Sequence, residues 1–130
     1  MYEYKIKEII KIVDGDTVDI LIDLGFNVIY KERIRLANID TPEVNSRNDQ
    51  EKLLGNEAKE YLSIWLKNQN ILKIKTTKDD KYGRILGEIY GDNDTCINKL
   101  LVEKGYAWVY SINTNKDLNI LIEKRKSYEN

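Results

Sequence analysis

The sequence predicts a β-rich α+β chain, five short strands rolled into a small barrel with three helices around it. Three observations carry this expectation. Apolar residues alternate at a two-residue period in several short runs, the mark of half-buried strands. Tight turns rich in Gly, Asp and Asn separate the first three runs. A segment with helical spacing follows the third strand, and two more helical patterns lie towards the C-terminus.

Residues 4–13 read as the first strand, with Tyr4, Ile6, Ile10 and Ile12 at alternating positions. Asp14-Gly15-Asp16 is a turn in which Gly15 is expected to supply backbone freedom. Residues 17–24 form the second strand, with Val18, Ile20 and Ile22 on one face. Gly25-Phe26-Asn27 turns the chain into a third strand over 28–39, completing an antiparallel meander. The polar stretch 44–54 reads as a mobile surface loop. A helix over 56–68 places Ala58, Tyr61, Leu62, Trp65 and Leu66 on one face. Its Tyr61–Trp65 stripe is assigned to core packing.

Residues 71–77 form a fourth strand, 79–83 a turn and 84–90 a fifth strand. Thr95 is expected to cap a short helix over 97–104, stopped by Gly105. Residues 106–110 are extended, and an amphipathic helix over 116–128 follows. Five strands with a helix after the third match a small, partly open barrel of the oligonucleotide-binding type, the OB-fold. Residues 1–130 are read as one domain.

Composition narrows the chemistry. With 42% hydrophobic residues the chain can bury a core. No apolar run is long enough to span a membrane. The N-terminus lacks the apolar segment of a signal peptide, so a cytoplasmic site is expected, with secretion open if the terminus was processed. The single cysteine, Cys96, excludes an internal disulfide and reads as a small buried residue. There is no histidine, which removes Ser-His triads and His-ligated zinc. Any bound metal must sit among oxygens, which favours Ca²⁺ or Mg²⁺. The net charge of −1 provides no general attraction for a polyanion, so a local cluster would have to hold one.

The stretch from Arg33 to Glu43 is where such a cluster starts. Ile34 and Leu36 alternate with Arg33 and Arg35, and the strand runs into Asp40-Thr41-Pro42-Glu43. Pro42, the only proline, fixes its own φ and pushes Thr41 towards an extended conformation. Two aspartates from different turns and a backbone carbonyl near Pro42 are enough to hold one hard cation. Two arginines can grip a phosphate with paired hydrogen bonds. A third carboxylate can position or deprotonate water. These are the parts of a metal-assisted phosphodiester hydrolysis. One tension is geometric: a straight strand rises about 3.3 Å per residue, which puts Arg35 and Asp40 roughly 16 Å apart. The strand is therefore expected to coil sharply between Leu36 and Ile39.

Taken singly, each motif has a plainer reading. Asp-Gly-Asp is usually only a turn, Arg33 and Arg35 a solvated strand face, and Tyr82-Gly83-Arg84 a hairpin start. Their conjunction is specific. Val13-Asp-Gly-Asp-Thr-Val18, Ile34-Arg-Leu-Ala-Asn-Ile-Asp-Thr-Pro-Glu43, Asp80-Lys-Tyr-Gly-Arg84 and Leu100-Leu-Val-Glu-Lys-Gly105 occur in the order and spacing of the staphylococcal nuclease, or thermonuclease, family. Residues 4–112 resemble it.

The resemblance implies an OB-fold barrel with three helices and Ca²⁺-dependent hydrolysis of DNA and RNA, leaving 3′-phosphates. Single strands are the expected substrate, Ca²⁺ is expected ahead of Mg²⁺, and the protein is expected to be a monomer away from membranes. It implies Asp16 and Asp40 as carboxylate ligands of the calcium, with the Thr41 carbonyl as a further ligand and Asp14 as an outer-shell acid. Glu43 corresponds to the proposed general base, and Arg35 and Arg84 to the pair on the reacting phosphate. Lys81 and Tyr82 correspond to positions that touch a terminal phosphate. The aromatics of Tyr106-Ala-Trp-Val-Tyr110 are out of the family's register, so Trp108 or Tyr110 takes the base-stacking role, and Tyr110 is carried as the candidate. A second class of reading is a non-catalytic binding or protein-interaction module on the same barrel. Such modules lose ligands and arginines, whereas Asp16, Arg35, Asp40, Glu43 and Arg84 are all present.

Overall fold

The computed structural model describes residues 2–76, 84–111 and 115–129. Strands β1 (Tyr2–Asp14), β2 (Thr17–Asp23) and β3 (Ile29–Leu36) form the antiparallel meander expected from the alternation. In β2, Val18, Ile20 and Ile22 all turn inward and are buried, as a strict two-residue period requires. Strand β1 slips register against β2 between Ile6 and Glu8, Ile9 and Lys11, and Ile12 and Asp14. Such bulges bend and twist a strand. They let β1 pair with β2 along its length and with β5 (Lys73–Thr76) at its start.

The strand order β1-β2-β3-β6-β5 closes on itself, with β3 and β6 (Ile85–Tyr90) as the parallel pair. The barrel is thus a closed five-stranded mixed barrel with three α-helices among the described residues, where the pattern suggests a partly open one. Ile34, Leu36, Ile74 and Ile89 fill its interior with the residues of β2. Leu62 and Leu66 of helix α1 (Asp49–Lys67) and Ile97 and Leu101 of α2 (Ile97–Glu103) extend the same core.

The expected third strand, 28–39, breaks in two. It ends at Leu36, and β4 (Ile39–Asp40) leaves the barrel to pair with β7 (Trp108–Val109). The cause is Asn38, whose φ of 67° is a left-handed conformation that Asn tolerates well. The chain is redirected by one turn residue rather than by coiling.

Helix α1 also starts earlier than its apolar stripe. Its first turn lies in the polar stretch read as a mobile loop. The Asn48 side chain accepts from the Glu51 N–H at 2.9 Å. Ser46 Oγ donates to Glu51 at 2.7 Å, so residues 43–51 are tied to one another rather than loose. Thr95 does not cap α2; Cys96 takes that position with no side-chain bond. Gly105, at φ 84°, ends that helix as expected. Helix α3 (Leu118–Glu129) begins after Lys116, which the pattern had placed inside it. The expected turn over 79–83 lies outside the described residues.

Candidate active site

Two bends and two strand ends meet at one mouth of the barrel. The turn between β1 and β2 supplies Asp14 and Asp16, β3 supplies Arg35, β4 with the Pro42 turn supplies Asp40, Thr41 and Glu43, and the start of β6 supplies Arg84. These residues, with Thr17 and Pro42, line a cavity of about 180 Å³.

Close packing holds the mouth in shape. A Cβ on Gly15 would sit 2.8 Å from the Ala58 Cβ of α1 and 3.1 Å from the Thr41 side chain. A Cβ on Gly55 would sit 2.7 Å from the Pro42 carbonyl oxygen. These two glycines let α1 lie directly against both bends. Gly15 is therefore required for space; its φ is not in the left-handed region, contrary to the freedom expected of it.

Asp16 is buried, at 7% exposure, and its charge is compensated by hydrogen bonds. It accepts from Thr17 Oγ1 at 3.0 Å and from the Thr41 N–H at 3.1 Å. The Leu36 N–H donates to the Asp16 carbonyl at 2.7 Å, tying β3 to the first bend. Arg35 bridges the two aspartates. Its Nη2 lies 3.4 Å from Asp16 Oδ2 and 3.4 Å from Asp40 Oδ1, while Nη1 donates to the Leu36 carbonyl at 2.8 Å. The break at Asn38 thus removes the separation that a straight strand would impose. Burial pushes the Asp14 carboxyl above its usual range, and the neighbouring Asp16 charge adds to this.

The donors available to a metal are oxygens: the carboxylates of Asp16 and Asp40 and the carbonyl of Thr41. Among the described residues no three acidic or cysteine side chains converge into a ready-made cage. The set therefore suits a hard cation that keeps part of its water shell. Thr41 Oγ1 is consistent with this, being buried in the cavity wall with no hydrogen-bond partner among the described residues. Glu43 and Arg84 are exposed at the rim.

The sequence expectations for Asp14, Asp16, Arg35, Asp40, Thr41, Glu43 and Arg84 are brought together in this one cavity. Lys81 and Tyr82 lie outside the described residues. Tyr110 does not line the cavity; it is 57% exposed and follows Val109, whose partner Ile39 precedes Asp40. Trp108 is only 6% exposed, and its indole N–H donates to the Asp117 carbonyl. Of the two aromatics, Trp108 packs inside and Tyr110 faces solvent. One residue escaped the sequence reading: Lys116, whose Nζ is 2.6 Å from Asp40 Oδ2. A lone lysine in a polar segment carries no motif that would have marked it.

Fold and site together define a class, the closed OB-type barrel with an oxygen-lined pocket flanked by arginines. Within it, residues 33–128 match the family of staphylococcal nuclease homologues, and the chain belongs to that family. An uncharacterized protein of Methanocaldococcus jannaschii is 30% identical, over 99% of this chain and 70% of that one. The micrococcal nuclease of Shigella flexneri is 32% identical, over 79% of this chain and 57% of that protein. The thermonuclease of Staphylococcus intermedius is 33% identical, over 88% of this chain and 65% of that protein. The chain spans less than two thirds of either named nuclease. No helix among the described residues is long and apolar enough to cross a membrane.

Proposed function

We propose that this chain is a calcium-dependent nuclease that hydrolyses phosphodiester bonds in DNA and RNA, prefers single strands and leaves 3′-phosphates. The observation that carries the reading is the convergence of Asp16, Arg35, Asp40, Glu43 and Arg84 on one cavity. Relatives named as nucleases support the same class of reaction.

Asp16 and Asp40 would hold the cation through carboxylate oxygens and Thr41 through its carbonyl. The bound cation would supply Lewis-acid polarisation of the scissile phosphate. Arg35 and Arg84 come from β3 and the start of β6, which pair in parallel from Ile34 and Ile85. They grip the non-bridging oxygens of the phosphate, where charge grows in the transition state. Glu43 stands at the rim, open to solvent, and takes a proton from the attacking water. The water oxygen bonds to phosphorus as the bond from phosphorus to the 5′ oxygen breaks; the phosphate stays on the 3′ side, and the 5′ oxygen leaves as a hydroxyl with a proton taken from solvent water. The motif alone assigns Lys81 and Tyr82 to a terminal phosphate. Exposure favours Tyr110 over Trp108 as a base platform.

Cleavage of a single-stranded DNA oligonucleotide in Ca²⁺, with and without excess chelator, tests this reading. Cleavage should stop when the metal is removed. Cleavage that persists in chelator would refute the metal role, and binding without cleavage would instead favour a non-catalytic module.

A further inference from the structure

Lys116, which no motif assigned and which lies outside the barrel strands, makes a short ion pair at the site. Its Nζ approaches Asp40 Oδ2 at 2.6 Å, while Arg35 holds the other Asp40 oxygen at 3.4 Å. Asp40 thus faces two side-chain cations, Arg35 from the barrel and Lys116 from outside it.

The lysine is delivered there by the fold. Asp40 pairs with Trp108 across the β4–β7 ladder. The Trp108 indole is buried and donates to the Asp117 carbonyl at 3.1 Å. A core-anchored ring on the strand partner of Asp40 therefore fixes the backbone next to Lys116. The lysine side chain itself stays open, at 58% exposure against 13% for Asp40. An ammonium so placed can leave for water while its carboxylate cannot.

The geometry points to Lys116 as a tethered counter-ion that occupies Asp40 until a divalent cation displaces it, so that the chain sets its own cation affinity. This rests on the calcium reading above. Release of Lys116 costs the cation part of its binding energy. A partly exposed pair of this kind is worth up to about 1 kcal/mol, roughly fivefold in affinity. Lys and a divalent cation cannot share the same Asp40 oxygen at contact distance without like-charge repulsion. The ammonium and the divalent cation therefore compete for Asp40.

Calorimetric titration of Ca²⁺ into three proteins, without nucleic acid, tests the inference. The wild type, Lys116→Met and Lys67→Met are compared. Lys67, in the last turn of α1, carries the same change of net charge away from the cavity. Lys116→Met should bind Ca²⁺ about three- to fivefold more tightly than the wild type, and Lys67→Met should stay within about twofold. Equal or weaker binding by Lys116→Met would overturn the inference, as would an equal gain in Lys67→Met. Failure of the wild type to bind Ca²⁺ at all would instead overturn the reading of the site itself, and this inference with it.

Discussion

Strand β2 ends in a turn on each side, and the two turns could hardly differ more. At one end Gly15 is pressed against Ala58 of α1 and against Thr41, and the flanking Asp16 is buried and bonded to the second bend. At the other end a Cβ on Gly25 would meet nothing within 4 Å, and Phe26 is fully exposed. Both are short, Gly-containing hairpin turns, and local sequence marks both equally. What separates them is tertiary. One turn has α1 and the Pro42 bend packed on it; the other has only its own hairpin. The packed end holds charges in place, and the free end only reverses the chain.

Substitutions at the two ends should separate in size and in kind. The largest effect belongs to the packed end. Arg35 pairs with Thr17 where β2 begins, and Arg35→Ala should lower the cleavage rate at least about a hundredfold, as losing one charge-stabilising donor does. Arg84→Ala should do the same. A rate near wild type for either would show that the phosphate grip is wrongly assigned.

Next comes Gly15→Ala. The added methyl must displace Ala58 or Thr41, an overpacking cost of about 1–3 kcal/mol. Urea denaturation should show that loss, and cleavage should fall with it because Thr41 moves. Unchanged stability would mean that the bend yields freely.

At the free end, Gly25→Ala forces a methyl-bearing residue into φ 83°, costing about 1 kcal/mol with no change in cleavage. Phe26→Ser should be smallest, within about 0.5 kcal/mol and silent in the cleavage assay. A loss of activity from either would join the two ends in a way this account does not contain.

The same contrast explains what could be read from the chain in advance. The opening meander and most of the pocket were legible, because Val18-Ile20-Ile22 and Ile34-Leu36 alternate strictly and the acids sit inside short motifs; the closed order β1-β2-β3-β6-β5, with its parallel β3–β6 pair, was not. The approach of Arg35 to Asp40 was foreseen only as a bend of unknown form. It depends on one left-handed residue, Asn38, and Asn adopts that conformation by context rather than by rule. The start of α1 was missed because its first turn is polar, although Asn48 followed three residues on by Glu51 is the pattern of a helix N-terminus. Lys116 was invisible because its place depends on the Trp108–Asp117 bond, a contact between β7 and the start of α3 that no local pattern encodes.

The most direct measurement is end-group analysis of oligonucleotide products made in Ca²⁺ by the wild type and by Asp40→Ala. Wild-type products should end in 3′-phosphate and 5′-hydroxyl, and Asp40→Ala should lose those products at the same Ca²⁺ concentration. Products ending in 5′-phosphate, or undiminished cleavage by Asp40→Ala, would contradict the proposed reaction.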